Sequence, residues 1–296
     1  MTPKLSIKER LDAYEKLMRL DKPIGILLLL WPALWGLWFA SPLSQNWDVV
    51  LIFIMGTVLM RSAGCVVNDY ADRDIDPHVK RTAGRPLAAR LIAPKEALIL
   101  AAVLAAMAFV LVLFLNKLTI LLSFAALFLA LSYPYTKRFF PLPQAYLGIA
   151  FGFSIPMAFA AYRNDIPALA WVLLLGNVFW AIAYDTEYAM VDRDDDMRLN
   201  IKTSALLFGL FDVAAVLVCQ ALFILIMAGI GASLKLGLWY FAGLALAVLS
   251  VVWQYQLIKH REREGCFKAF MHNNWMGAAI FAGLALDYWF RVPIFK

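Results

Sequence analysis

The stretch VVLIFIMGTVLMRSAGCVVNDYADRDID, residues 49–76, joins a long apolar run directly to a run of acidic residues. About 20 predominantly apolar residues are enough to cross the hydrocarbon core of a bilayer as a helix. Residues 49–68 meet that requirement, and Arg61 is the one charged residue among them. The stretch therefore predicts a transmembrane helix whose end presents Asp69, Asp72 and Asp76.

Similar apolar runs recur along the whole chain. Hydrophobic residues make up 63% of the sequence, well above the 45–50% typical of soluble domains. We therefore predict an all-α membrane protein with nine spans, in which residues 1–22 form an N-terminal segment and residues 23–296 a single transmembrane domain. The predicted spans are 23–40, 49–68, 97–115, 118–135, 145–162, 167–190, 210–231, 236–257 and 268–290.

The distribution of basic residues predicts the orientation of these spans. Of the 27 Lys and Arg residues, 21 fall in the N-terminal segment and alternate loops, and such residues mark cytoplasmic loops. The N-terminus is therefore expected in the cytoplasm and the C-terminus, with Lys296, in the periplasm. The net charge of +6 does not indicate nucleic-acid binding, because the basic residues lie in short loops between spans. These basic segments are 1–22, 69–96, 136–144, 191–209 and 258–268.

A second acidic motif, in residues 185–196, echoes the first. Both contain the pattern D-R-D-x-D, and a basic residue followed by threonine comes shortly after each, at Arg81-Thr82 and Lys202-Thr203. The two copies lie four predicted spans apart, so they emerge on the same face of the membrane. Membrane proteins often place a substrate site between repeats of this kind.

The spacing of the acidic residues favours a metal–diphosphate site. Residues four apart share a face of a helix, so Asn68, Asp72 and Asp76 should form one column of oxygens, and Asp192 and Asp196 a second. Facing columns need cations, and carboxylates together with phosphate oxygens suit Mg²⁺. The predicted metal ligands are Asn68, Asp69, Asp72, Asp76, Asp185, Asp192 and Asp196. The predicted diphosphate ligands are Arg73, Arg81, Arg85 and Lys202.

A self-paired, solvated loop surface is the alternative interpretation of either motif alone. Two similar motifs that both begin at membrane depth argue against it. Carboxylates at Asp69 and Asp185 adjoin apolar helix, where charge is costly unless it has a function.

At these residues the chain resembles the UbiA superfamily of intramembrane prenyltransferases. Residues 68–76 match that family's N-D-x-x-D-x-x-x-D motif, and residues 184–196 match its Y-D-T-x-Y-A-x-x-D-x-x-x-D motif. The resemblance extends over nearly the whole chain. One departure is Lys202-Thr203-Ser204, where the family pattern has Lys-Ser-Thr, and either order keeps both hydroxyl groups.

The resemblance implies nine helices around a central cavity that opens to the cytoplasm and the lipid, in a bacterial inner membrane. It implies Mg²⁺-dependent transfer of a long polyprenyl group, such as octaprenyl, from its diphosphate to 4-hydroxybenzoate. The acceptor atom is the ring carbon ortho to the phenol, and the reaction is an early step of ubiquinone biosynthesis. Asp72, Asp185 and Asp192 are the implied catalytic residues, with Asp192 the first choice for a position near the phenol hydroxyl.

The carboxylate of the aromatic acid needs a basic partner. The resemblance favours Arg138, with Lys137 beside it, although both are also what a cytoplasmic loop normally carries. Arg19 and Arg61 are the other candidates. Arg61 precedes Asn68 by about two helical turns and so lies deeper on the same side, and an arginine inside a span tends to face a cavity.

Two rival functions remain open at this point. A transporter for an anionic substrate would explain acidic residues in a membrane and an internal repeat, but alternating access favours polar groups nearer the membrane centre. A related prenyltransferase with another acceptor would share the diphosphate site. The sequence does not fix the isoprenoid length, protein partners or oligomeric state.

Overall fold

The computed structural model describes residues 5–42, 45–199 and 201–291, and the prediction of an all-α protein is confirmed for these ranges. Lys296, counted above with the periplasmic side, lies outside the described residues. The helices are α1 (Ile7–Met18), α2 (Ile24–Ala40), α3 (Trp47–Asp72), α4 (Pro94–Val112), α5 (Lys117–Thr136), α6 (Pro143–Gly152), α7 (Ser154–Arg163), α8 (Ala168–Leu199), α9 (Ser204–Phe208), α10 (Asp212–Ser233), α11 (Leu238–Ile258) and α12 (Arg263–Arg291).

Each predicted span coincides with a helix or a consecutive helix pair in the described part of the chain. Seven of these segments are long and apolar enough to cross a membrane, and they include α6 joined to α7. The helix α2 is apolar but has 17 residues. The helix α12 is long, yet its polar residues keep it outside the seven. The chain is thus a multi-pass membrane protein, and the count of nine spans stays a prediction.

The helices α3 and α8 run further than the apolar pattern predicts. The predicted spans end at residues 68 and 190, whereas α3 ends at Asp72 and α8 at Leu199. We call the end of the bundle where both helices finish the motif end. The expected single column over Asn68, Asp72 and Asp76 is wrong at its last member, because α3 ends at Asp72 and Asp76 begins a short 3₁₀ turn.

The predicted fifth span is broken in its middle. The helix α6 ends at Gly152 and α7 begins at Ser154. Pro156 explains the break, because proline has no N–H to donate to the carbonyl four residues earlier, which is that of Gly152. The interruption brings Ser154 to the wall of the central cavity.

The second half of the bundle is held by large aromatic side chains. Trp35 of α2, Trp180 of α8 and Phe223 of α10 are fully buried and pack on one another, with the Trp180 and Phe223 rings stacked at 5.6 Å. The helices α11 and α12 approach closely at Gly243, where a Cβ atom would lie 2.6 Å from the Ala279 carbonyl oxygen. The ring contacts of Trp180 pack α8 against α2 and α10.

Candidate active site

A cavity of about 1900 Å³ lies between α3 and α8. Its wall at the motif end is polar and includes Asn68, Asp69 and Asp185. The rest is mainly apolar, with aromatic, leucine and methionine side chains. Those that continue the wall away from the motifs are Phe53, Met60, Phe109, Phe124, Leu127, Phe151 and Met157. The cavity thus combines a charged end with a long apolar interior.

The carboxylates of the first motif are each paired with a basic side chain. Asp69 is 1% exposed and lies 3.0 Å from both Arg19 and Arg85. Asp76 accepts a hydrogen bond of 2.9 Å from the same Arg85. Burial acts to lower the pKa of the Arg85 guanidinium, but Asp69 and Asp76 more than offset this and raise it. Arg85 therefore stays charged and links the two acids.

Asp72 has a different partner. It is 2% exposed, and its Oδ2 atom accepts a hydrogen bond from the ammonium group of Lys137, which caps the end of α5. Its other oxygen, Oδ1, is buried without a partner. An unpaired buried carboxylate oxygen is costly, so this atom is free to bind a further donor or a cation.

The second motif repeats this pairing. Asp192 accepts hydrogen bonds of 2.9 and 3.1 Å from Arg81 Nε and a further one from its terminal nitrogen. The Arg81 guanidinium also lies over the Tyr188 ring, 4.6 Å from its centroid. Asp185 lines the cavity, whereas Asp196 is 8% exposed and sits farther along α8. Arg81 thus crosses from the loop after the first motif to the second.

The two motifs share an electrostatic environment. The Lys137 ammonium, which is hydrogen-bonded to Asp72, also interacts electrostatically with the carboxylates of Asp185 and Asp196 in the second motif. Arg81 acts on the same two residues. The expected strongly negative pocket is therefore interleaved with basic side chains, which explains how so many acids remain buried together.

The donor set fits a hard divalent cation. In the described ranges, no three acidic, histidine or cysteine side chains converge tightly enough to form a metal centre. The available donors are nevertheless the carboxylates of Asp69 and Asp185 on the cavity wall, together with Asp72, which lies off the wall and has an unpartnered Oδ1. Mg²⁺ commonly uses one or two carboxylates, water and substrate phosphate oxygens, so a converged protein cage is not required here.

Arg61 lies where the spacing to Asn68 predicts, on the cavity wall. Its guanidinium is 5.7 Å from the centroid of Phe151, and its Nε atom is buried without a partner. Asp185 lies within its electrostatic reach. Two further unpartnered groups line the same cavity, the hydroxyls of Tyr184 and Ser154. Sequence reasoning missed these two, although Tyr184 is the first residue of the second motif.

Eight predicted residues lie off the cavity wall. Four are the acidic residues Asp72, Asp76, Asp192 and Asp196, and the other four are basic. Arg138 donates a hydrogen bond of 2.6 Å to the carbonyl of Ala71. Lys202 donates one of 3.0 Å to the carbonyl of Phe139. The other two are Lys137, which is hydrogen-bonded to Asp72, and Arg73. The Arg73 guanidinium donates a hydrogen bond to the Tyr70 carbonyl and lies over the Tyr70 ring.

Arg193, the arginine of the second D-R-D-x-D motif, lies off the cavity wall and belongs to a buried ion triad. Asp212 is 0% exposed and accepts hydrogen bonds from Arg193 at 2.7 Å and from Arg261 at 2.8 Å. The triad ties the end of α8 to the start of α10 and to the turn before α12. It lay beyond sequence reasoning because nothing in the motif distinguishes a structural arginine from a ligand-binding one.

Comparison with known proteins defines the class. The model of the UbiA prenyltransferase family matches residues 29–276. The chain therefore belongs to the UbiA prenyltransferase family. The prediction of an enzyme is confirmed, which argues against the transporter alternative.

The chain is also similar to individual named enzymes and to solved structures. The chain is 62% identical to a 4-hydroxybenzoate octaprenyltransferase of Azoarcus sp. over 96% of this chain and 99% of that one. It is 61% identical to an enzyme of the same name from Nitrosospira multiformis, over 97% and 99% of the two chains. Among solved structures, a UbiA homologue from Aeropyrum pernix superposes with a TM-score of 0.79 at 26% identity, covering 88% of this chain and 97% of that one.

Proposed function

We propose that the chain transfers a long polyprenyl group, octaprenyl in its curated relatives' names, from its diphosphate to 4-hydroxybenzoate. The new bond forms at the ring carbon ortho to the phenol, as an early step of ubiquinone biosynthesis. The observation that carries this proposal is a single cavity with two paired Asp motifs at one end and an apolar interior. The 62% identity to a 4-hydroxybenzoate octaprenyltransferase over nearly the full length of both chains supports it.

The placement that we propose is the bacterial inner membrane, with the motif end in the cytoplasm. The concentration of Lys and Arg in the segments at that end supports this orientation. Polyprenyl diphosphate would then reach the cavity from the lipid with its charged group at the aqueous boundary.

We propose Mg²⁺ as the cofactor. A UbiA homologue of Archaeoglobus fulgidus, 16% identical, is described as bound to GPP and Mg²⁺; it superposes with a TM-score of 0.66 over 92% of this chain and 99% of that one. In this chain Asp72, with its free Oδ1, and Asp69 would hold the ion on one side, and Asp185 and Asp192 on the other. The bound ion would neutralise charge on the departing diphosphate.

The side chains themselves account for the rest of the chemistry. Arg81 and Arg85 line the cavity next to both motifs, so they are placed to bind phosphate oxygens by charge-assisted hydrogen bonds. As the allylic C–O bond breaks, its electron pair leaves with the diphosphate, whose charge these two arginines compensate. The apolar wall excludes water from the allylic cation until the ring carbon attacks and the ring proton is lost.

For the aromatic acid we favour Arg61 as the carboxylate anchor over Arg138. Arg61 lines the cavity with a buried, unpartnered Nε, whereas Arg138 is engaged with a backbone carbonyl outside the wall. With the carboxylate at Arg61, the phenol end of the ring would lie toward Asp185, which lines the same wall. That makes Asp185 a better candidate than Asp192 for the residue near the hydroxyl.

The test uses membranes that contain the chain, labelled 4-hydroxybenzoate and a panel of polyprenyl diphosphates. We expect label in the lipid extract, with longer chains preferred because the apolar interior is long. Saturation curves are then recorded for both substrates with the Arg61→Ala, Arg81→Ala and Arg138→Ala variants. Arg61→Ala should raise the KM for the acid about 10- to 100-fold, the equivalent of one charge-assisted contact. Arg81→Ala should instead raise the KM for the polyprenyl diphosphate.

Absence of label in the lipid extract with every polyprenyl diphosphate would contradict the proposed reaction. If the reaction occurs but Arg138→Ala alone raises the KM for the acid, Arg138 is the anchor, as the family resemblance favours.

A further inference from the structure

The helix α1 presents three chemically different faces. Ala13 and Leu17 are buried against the bundle. A second face is charged and includes Asp12. Between these two, Ile7 and Leu11 are 83% and 60% exposed, and they stand four residues apart on one edge. In water, two exposed apolar side chains would not stabilise this helix.

Contacts in the middle and at the C-terminal end of α1 fix its level relative to the membrane-spanning helices. Along the middle of α1, Tyr14 donates a hydrogen bond of 2.5 Å to Glu96, and Arg10 lies 3.4 Å from the same carboxylate. Glu96 is in the first turn of α4, which is one of the seven candidate spans. At the C-terminal end of α1, the capping residue Arg19 pairs with Asp69.

The helix is therefore tied to the ends of two neighbouring spans, α3 and α4, at the motif end. Twelve residues of helix extend about 18 Å, so α1 lies across those ends. Ile99, one turn beyond Glu96 on α4, is 63% exposed on a helix that is mostly lipid-facing. The surface of α4 beside its contact with α1 is thus apolar and exposed, as the Ile7–Leu11 edge of α1 is.

We infer that α1 is an interfacial helix, whose Ile7–Leu11 edge is immersed in the leaflet at the motif end while its charged face remains in water. The occupant of this edge is the bilayer surface, as is typical of amphipathic helices with one apolar and one charged face. Because Arg19 caps the same helix and binds Asp69, the membrane surface also fixes one basic partner of the first acidic motif.

The first experiment measures depth by spin labelling. Single cysteines are introduced as Ile7→Cys, Leu11→Cys and, as the matched control on the charged face, Asp12→Cys. The native Cys65, Cys219 and Cys266, all buried, are replaced by alanine, and the protein is placed in phosphatidylethanolamine–phosphatidylglycerol vesicles. The ratio of collisions with oxygen to collisions with an aqueous nickel chelate should be several-fold higher at positions 7 and 11 than at 12.

Equal ratios at positions 7 and 12 would overturn the inference. So would dipolar broadening at position 7 that disappears when labelled protein is diluted with unlabelled protein, since this would place a second copy of the chain on the edge.

A second measurement needs no substitution. The natural chain is illuminated in vesicles that contain a phospholipid with a diazirine near its headgroup, and the tryptic peptides are analysed. The peptide of residues 11–16 should carry lipid adducts on Leu11. Adducts on α4 peptides without any on this one would reject the interfacial position.

Discussion

Gly25 lies directly against the guanidinium group of Arg61. A Cβ atom at Gly25 would lie 2.6 Å from Arg61 Nε and 2.9 Å from Cζ. A glycine of α2 thus makes room for an arginine of α3 that faces the cavity, and the position of the guanidinium depends on that space.

We expect Gly25→Ala to displace the Arg61 guanidinium and to raise the KM for 4-hydroxybenzoate, by less than Arg61→Ala does. Alanine is otherwise the better helix residue by about 0.5–1 kcal/mol, so the fold should not suffer. Saturation curves in membranes provide the measurement. Gly229→Ala in α10 is the control, because a Cβ atom there meets nothing within 4 Å. Equal KM values for the two variants would show that the space at Gly25 is irrelevant to the acid.

We expect Asp72→Asn and Asp192→Asn each to abolish turnover in a protein that still inserts and folds. Asparagine keeps the shape of the side chain but removes the charge that faces Lys137 or Arg81. Turnover is measured in membranes, and folding by size-exclusion chromatography in detergent. A variant with nearly the natural rate would show that its carboxylate binds neither cation nor substrate.

We expect membranes treated with EDTA to lose transferase activity and to regain it when Mg²⁺ is added in excess. The reason is that Asp69 and Asp185 offer hard oxygen donors on the cavity wall, and that Asp72 Oδ1 is unpartnered. Product formation is followed with labelled acid over a series of Mg²⁺ concentrations. Undiminished turnover in excess chelator would eliminate a metal role for the two motifs.

The ion triad around Asp212 predicts an order of stabilities. Removing Arg193 leaves Asp212 neutralised by Arg261, whereas removing the Asp212 charge leaves two arginines facing each other. Breaking a buried pair so that a charge is left uncompensated typically costs 3–5 kcal/mol. Asp212→Asn should therefore lower the thermal midpoint in detergent much more than Arg193→Met does.

The exposed Arg263 supplies the control for this series. Its side chain is 46% exposed and pairs with the exposed Asp194 and, at 3.6 Å, with Asp195. Ion pairs of such an exposed side chain contribute about 0–1 kcal/mol. Arg263→Met should leave the midpoint nearly unchanged. Equal losses for Arg193→Met and Asp212→Asn would mean that the triad does not act through charge balance.

The apolar helices and the two groups of carboxylates were accessible to sequence reasoning because both follow local rules. Helix length and apolar composition predicted where the apolar helices lie, but not α1, α9 or the break between α6 and α7. The seven-residue spacing from Arg61 to Asn68 correctly placed Arg61 on the cavity wall. The end of α3 was missed because Asp72 and Asp76 obey a helical spacing that the chain itself does not continue.

The pairing of charges was out of reach for a different reason. Arg19 meets Asp69 across 50 positions of sequence, and Arg81 meets Asp192 across 111. The packing of the helices decides which arginine pairs with which acid. The sequence of the motifs alone is compatible with several pairings. The same applies to Lys137, predicted beside the aromatic acid and found bonded to Asp72.

The salt bridges of the two motifs have a consequence for the order of ligand binding. Asp192 and Arg81 are each other's partner, yet on the proposed function one serves a cation and the other a phosphate. A diphosphate that takes Arg81 frees Asp192 for a cation, and a cation on Asp192 frees Arg81 for a diphosphate. Each ligand then lowers the cost of binding the other, and such coupling is reciprocal by thermodynamic necessity. Metal and diphosphate should accordingly bind with positive cooperativity. Each should bind more weakly alone than in the presence of the other.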